Sequence, residues 1–193
     1  MPVVVTRARE TLGPRLALIE RCEQELRERS ATATTMRGGF VPGRIEILGK
    51  HVDYAGGRSV VCAVDRGIAF AATSRDGPVV RVFDTVRGET REAPLDGGSS
   101  ASSPDWGTYV ATVARRVARD FPAPLSGVDV AIASDLPSAS GLSSSSALLI
   151  ASFLALAGAN GWFDDTPLGI TLRGSAIALA EYLAAVESGR GYA

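Results

Sequence analysis

Three segments of this chain combine residue types that could do chemistry. The first runs Pro42-Gly43-Arg44-Ile45-Glu46-Ile47-Leu48-Gly49-Lys50-His51-Val52-Asp53-Tyr54-Ala55-Gly56-Gly57, with Arg44, Lys50, His51 and Asp53 inside ten positions and glycines at the bends. Arginine donates through a rigid fork, and an aspartate accepts hydrogen bonds from neighbouring hydroxyls as a sugar presents them. Charged turn residues are commonly just solvated. Here, however, the chain's only lysine and only histidine share one turn, in a composition that otherwise supplies arginine as its cation. The second segment is Asp135-Leu136-Pro137-Ser138-Ala139-Ser140-Gly141-Leu142-Ser143-Ser144-Ser145-Ser146-Ala147-Leu148. Small residues that join a strand to an apolar helix leave free N–H groups at the helix's positive end, an arrangement that binds phosphate. Serine hydroxyls add donors for phosphate oxygens, or a hard oxygen ligand for Mg²⁺. A flexible Ser/Gly linker is the bland alternative, but linkers are seldom flanked on both sides by core-grade elements. The third segment, Trp106-Gly107-Thr108-Tyr109-Val110, opens a helix with two aromatics that could flank a base, although such spacing more often marks a core.

The elements that must position these segments follow from periodicity. Leu12, Leu16, Ile19 and Leu26 predict an amphipathic helix from Pro14 to Arg29, and 30–39 reads as a linker. Alternation at Ile45 and Ile47, the β-branched run Val60 to Val64, Ile68 with Phe70, and Val79 to Phe83 between turns at Asp76-Gly77 and Arg87-Gly88 predict an antiparallel meander. The stretch 96–103 reads as an exposed loop. Asp105 can cap a helix from Trp106 to Asp120; a strand covers Val128 to Ala133, and an apolar helix covers 144–157. Thr166-Pro167 opens a last helix carrying Leu172, Ala176, Leu179, Leu183 and Val186, despite Gly169 and Gly174. Strands first and helices later predict an α+β fold.

Composition narrows the function. The 193 residues carry 20 basic and 21 acidic side chains for a net charge of -1, so there is no global positive field for nucleic acid or an anionic membrane. One histidine excludes two-histidine metal motifs, and Cys22 and Cys62 are too few and too far apart for a structural zinc or a disulfide framework. Free thiols read as cytoplasmic. The most apolar run, 147–159, falls short of the ~20 residues that a membrane span needs. No Walker loop and no G-x-G-x-x-G occurs.

The first segment resembles the galactokinase signature G-R-x-N-x-[IL]-G-E-H-x-D-Y-x-x-G. The second resembles that family's phosphate loop, P-x-x-x-G-L-S-S-S-A, and the Trp106 element lies between them in the expected order. On these motifs, from about Phe40 to Glu187, the chain is identified as a member of the GHMP small-molecule kinase superfamily, galactokinase-like branch. The resemblance implies a GHMP kinase N-terminal domain (ribosomal protein S5 domain 2-like), a mixed or antiparallel sheet with packed helices. It implies an ATP- and Mg²⁺-dependent kinase acting on a monosaccharide, galactose or a related hexose or uronic acid, at the anomeric hydroxyl. Arg44 would then sit near the attacking hydroxyl as the catalytic arginine, with Arg44, Lys50, His51, Asp53 and Tyr54 binding sugar. Ser140, Gly141, Leu142, Ser143, Ser144, Ser145, Ser146 and Trp106 would bind ATP. Ser145 would be the magnesium ligand, with Glu181 as the first match for the metal-binding glutamate and Glu187 as the second.

Several positions depart from the pattern. Lys50 replaces the family's sugar-binding glutamate, Glu46 an asparagine and Ala139 a glycine. A cation at position 50 disfavours plain galactose and suits a sugar bearing a carboxylate. The catalytic-aspartate motif C-G-x-M-D-Q and the glycine-rich loop of the C-terminal domain are not present. The end at Gly189-Arg190-Gly191-Tyr192-Ala193 reads as cut, so 1–193 is expected to be an N-terminal domain without kinase activity alone. A non-catalytic sugar- and nucleotide-binding regulator is the alternative. The identity of the sugar and the oligomeric state stay open.

Overall fold

The computed structural model describes residues 13, 15–30, 35–49, 56–97, 105–137 and 140–192. Helix α1 (Arg15–Arg29) is followed by strands β1 (Arg37–Leu48), β2 (Val60–Arg75), β3 (Val79–Asp84) and β4 (Glu89–Pro94). Then come α2 (Gly107–Asp120), β5 (Gly127–Ser134), α3 (Ser144–Asn160), α4 (Trp162–Asp165), α5 (Pro167–Gly174) and α6 (Ala176–Ser188). The class is α+β, as the strand-rich first half predicts.

The sheet is mixed, in the order β1-β2-β5-β3-β4. Two hairpins of the expected meander form, β1 with β2 and β3 with β4, but β2 and β3 do not pair. Strand β5 inserts between them, antiparallel to β2 and parallel to β3. Its apolar sequence, GVDVAIAS, is buried along almost its whole length and belongs at the centre of a sheet; the polar ETREAP of β4 suits an edge.

Alternation assigns the two faces. Ile68, Phe70, Val80, Val82, Val128, Val130 and Ile132 point into a large core shared with α2, α3 and α6. Ala69, Ala71, Ala131 and Ala133 face the other way, where their small side chains let Ile19, Cys22 and Leu26 of α1 approach closely. In the larger core, Phe121 stacks on Trp162 at 4.1 Å between ring centroids, with Phe153 and Tyr182 around them. The Arg116 guanidinium, buried in this region, pairs with Asp120 and donates to the Arg190 carbonyl at 2.6 Å, while Tyr182 donates to Asp120 at 3.0 Å.

Two further expectations change. The linker ends early, because β1 already begins at Arg37: Gly38 and Gly39 lie within the strand where a Cβ on Gly38 would sit 2.8 Å from the Phe70 carbonyl oxygen. The last helix is two helices bent by 117°. Thr166 caps α5, accepting from the Gly169 amide at 3.0 Å, and Ser175 caps α6, accepting from Ala178 at 3.2 Å. A serine that offers its own cap right after Gly174 breaks the helix there. Among the described residues no single helix is long and apolar enough to cross a membrane.

Candidate active site

Strand β5 delivers the chain to the serine loop at one end of the sheet. There the Asp135 carboxylate accepts from the Gly67 amide at 2.7 Å, fixing the strand end against β2. The Ser140 hydroxyl donates to the Pro137 carbonyl at 2.8 Å, Gly141 turns at φ +70°, and Ser143 takes a left-handed backbone, φ 57° and ψ 43°, before α3 begins. The first intrahelical bond of α3 runs from the Ala147 amide to the Ser143 carbonyl at 3.0 Å. No side-chain cap bonds the opening amides of this helix. They are therefore available to an anion, and the helix dipole adds a favourable field.

The galactokinase-like segment meets this loop directly. The Arg44 amide donates to the Leu142 carbonyl at 3.0 Å, and Arg44 Nε donates to Ser143 Oγ at 3.1 Å, joining positions 99 residues apart. Gly43 makes the approach possible: a Cβ there would meet the Leu136 side chain at 2.7 Å and the Leu142 carbonyl oxygen at 2.8 Å. Lys50, His51, Asp53 and Tyr54 lie outside the described residues, as does Ala139. Of that motif the structure describes 42–49 and 56–57.

Helical geometry divides the four serines between two concavities. Ser144 and Ser145 open on a cavity of about 360 Å³ whose other walls include Trp106, Tyr109, Asp84 and Arg87. Ser143 and Ser146 face a second, more open groove of about 480 Å³ with Arg44 and Glu187. Trp106 is thus brought to the serine loop, as the sequence order predicts. It is fixed by its indole N–H, which donates to Glu89 at 2.7 Å, and by the Arg91 guanidinium 5.2 Å above its ring. Asp105 holds the entry to α2, accepting from the Gly107 amide at 2.7 Å and from Arg91 Nε at 2.8 Å. That amide, and then Arg91, keep its carboxyl below the usual carboxylate range.

The acidic partner of the loop is Glu187. Ser146 Oγ donates to its two carboxylate oxygens at 2.8 and 3.0 Å. Glu181, the first choice from sequence, is exposed and does not line this groove, since six residues of helix turn it about 120° away. Ser145 faces the aromatic cavity rather than either glutamate. The sequence marks a turn at Arg87-Gly88 but gives it no part in the site; there the Asp84 carboxylate accepts from the Val86 and Arg87 amides at 2.9 and 3.0 Å and presents Arg87 to the cavity. An aspartate four residues before Gly88 was the available signal.

The galactokinase galactose-binding signature matches residues 29–74. The GHMP kinases N terminal domain matches 108–191. A galactokinase from Actinobacillus pleuropneumoniae is 39% identical over 111 residues, 58% of this chain and 29% of that protein. One from Chloroflexus aggregans is 41% identical over 111 residues, 57% of this chain and 28% of that protein. The alignments thus span under a third of the length of these curated relatives. Among solved structures, Lactococcus lactis galactokinase complexed with galactose superposes with a TM-score of 0.69 at 23% identity, covering 87% of this chain and 41% of that one. The Methanococcus jannaschii mevalonate kinase superposes at 0.60 with 15% identity, covering 82% and 49%. These two likenesses bear on the fold, a GHMP N-terminal domain, while the two sequence signatures fall on the two segments that the structure joins at Arg44 and Ser143. The chain carries both the galactokinase galactose-binding signature and a GHMP kinase N-terminal domain.

Proposed function

We propose that this chain is the N-terminal domain of an ATP-dependent sugar kinase that transfers the γ-phosphoryl group to a hydroxyl of a hexose, galactose or a close relative, at the anomeric position. One observation carries the reading: the Arg44 segment and the serine loop, each matched by its own family signature, are bonded to one another at 3.0 and 3.1 Å. Phosphoryl transfer demands positioning and charge neutralisation more than covalent chemistry. The open amides of α3 and the hydroxyls of Ser144 and Ser145 hold phosphate oxygens, and the cavity beside Trp106 and Tyr109 takes the base. Arg44 supports a sugar hydroxyl against the terminal phosphate, and Lys50, His51, Asp53 and Tyr54 complete sugar binding, as the resemblance implies.

The residues present fit a magnesium ion. Ser146 and Glu187 form a hydroxyl–carboxylate pair of hard oxygen donors between the first turn of α3 and the last turn of α6. When bound, the ion neutralises charge on the transferring phosphates. A second domain, in the additional length that the relatives possess, supplies the aspartate and closes the cleft. An ATP-dependent enzyme with free thiols at Cys22 and Cys62 acts in the cytoplasm.

The test is ADP release by the full protein against a panel of galactose, its epimers and the corresponding uronic acids, with Mg²⁺ and ATP. Turnover of galactose or a galactose-like sugar is expected. No turnover with any monosaccharide would overturn the reading. The uronic acids in the panel decide whether Lys50 redirects the preference toward a carboxylate.

A further inference from the structure

Ser143 is the only non-glycine with a positive φ among the described residues. A serine at the cap of a helix ordinarily has an extended backbone and turns its hydroxyl back to accept from the second or third amide of the helix. In that conformation Ser143 Oγ would occupy the amides that a phosphate needs. The observed backbone, φ 57° and ψ 43°, turns the hydroxyl away, and Oγ accepts from Arg44 Nε at 3.1 Å instead. The preceding carbonyl, Leu142 O, is held by the Arg44 amide at 3.0 Å. One residue therefore grips the peptide before Ser143 and the side chain of Ser143 itself, while Gly43 allows β1 to lie against both.

We propose that Arg44 is a positioning residue for the nucleotide: it holds Ser143 in the left-handed conformation, keeps the opening amides of α3 free for phosphate, and so couples the sugar-binding segment to the phosphate loop. This rests on the serine loop being the phosphate site. It adds to Arg44 a role at the nucleotide, separate from any contact with sugar, and it gives Ser143 a conformational rather than a ligating part. Left-handed backbone is unfavourable for residues with a Cβ, most of all β-branched ones, and free for glycine.

The experiment is a double-mutant cycle on the full protein, reading Mg·ADP affinity by calorimetry without sugar, alongside Tm without nucleotide. Arg44→Met is expected to weaken Mg·ADP binding about tenfold, because the serine relaxes into its capping conformation. In a Ser143→Gly background the same substitution should cost under about threefold, since glycine needs no restraint and brings no competing hydroxyl. Ser143→Thr, which keeps the hydroxyl but resists positive φ, should bind about tenfold more weakly than Ser143→Gly. The Tm loss caused by Arg44→Met should likewise shrink in the glycine background. Equal losses from Arg44→Met in both backgrounds, in affinity or in Tm, would overturn the proposal, as would threonine binding better than glycine. Failure of the unsubstituted protein to bind Mg·ADP would overturn the phosphate-site reading and the proposal with it, a result distinct from intact binding with equal losses.

Discussion

Ser146 Oγ stands 2.8 and 3.0 Å from the two carboxylate oxygens of Glu187, a residue 41 positions further along the chain. The pair ties the first turn of α3 to the last turn of α6 and leaves one hydroxyl and one carboxylate facing the groove beside Arg44. Glu187→Gln keeps the shape and a hydrogen bond to Ser146 but removes the charge that a divalent cation requires. Affinity for Mg·ADP should fall about tenfold, while affinity for ADP in chelator changes little. Glu181→Gln, on a different face of the same helix, should lose much less; calorimetry with and without Mg²⁺ separates the two.

Gly43→Ala places a methyl group 2.7 Å from the Leu136 side chain and 2.8 Å from the Leu142 carbonyl oxygen. Strand β1 must then withdraw from the loop, at about 1–3 kcal/mol by analogy with overpacked cores. Mg·ADP affinity should drop together with Tm. Unaltered affinity in the Gly43→Ala variant would show that the loop keeps its shape without β1.

Phe121 stacks on Trp162 at 4.1 Å and meets Tyr182 edge-on at 6.3 Å, joining the end of α2 to α4 and α6. Phe121→Ala should cost about 3–5 kcal/mol, read from denaturant midpoints at constant m. Because α6 carries Glu187, the same variant should also weaken the magnesium dependence of nucleotide binding.

Asp105 is held below the usual carboxylate range by the Gly107 amide and, less strongly, by Arg91. A carboxyl whose folded pKa is depressed contributes stability above its unfolded value, near 3.9, and loses it as pH falls through the folded pKa. The Tm difference between the unsubstituted protein and Asp105→Asn should be level above about pH 5 and close below about pH 4. A gap that widens on acidification would contradict this sign.

The parts of the fold legible from residues alone were those set by local chemistry. The amphipathic pattern around Ile19 and Leu26 marks α1, Asp105 before Gly107 marks the start of α2, Thr166-Pro167 marks α5, and the serine loop before an apolar run marks the start of α3. The chemistry of the loop was legible for the same reason, since free amides and hydroxyls at a helix start follow from the order of residues.

Three features depended on neighbours distant in sequence. Gly38 and Gly39 look like linker until Phe70 lies against them, because a glycine's value in a strand is the close approach it permits, which no local pattern announces. The place of β5 between β2 and β3 depends on which strand needs burial on both faces, a comparison among all five. The choice between Glu181 and Glu187 depends on the direction in which α6 leaves the 117° bend at Ser175 and on its packing against α2 through Tyr182 and Asp120. Both glutamates carry the same charge, on the same helix. Which one reaches Ser146 is a question of rotation about that helix's axis, and rotation is set by packing, so only the tertiary structure decided it.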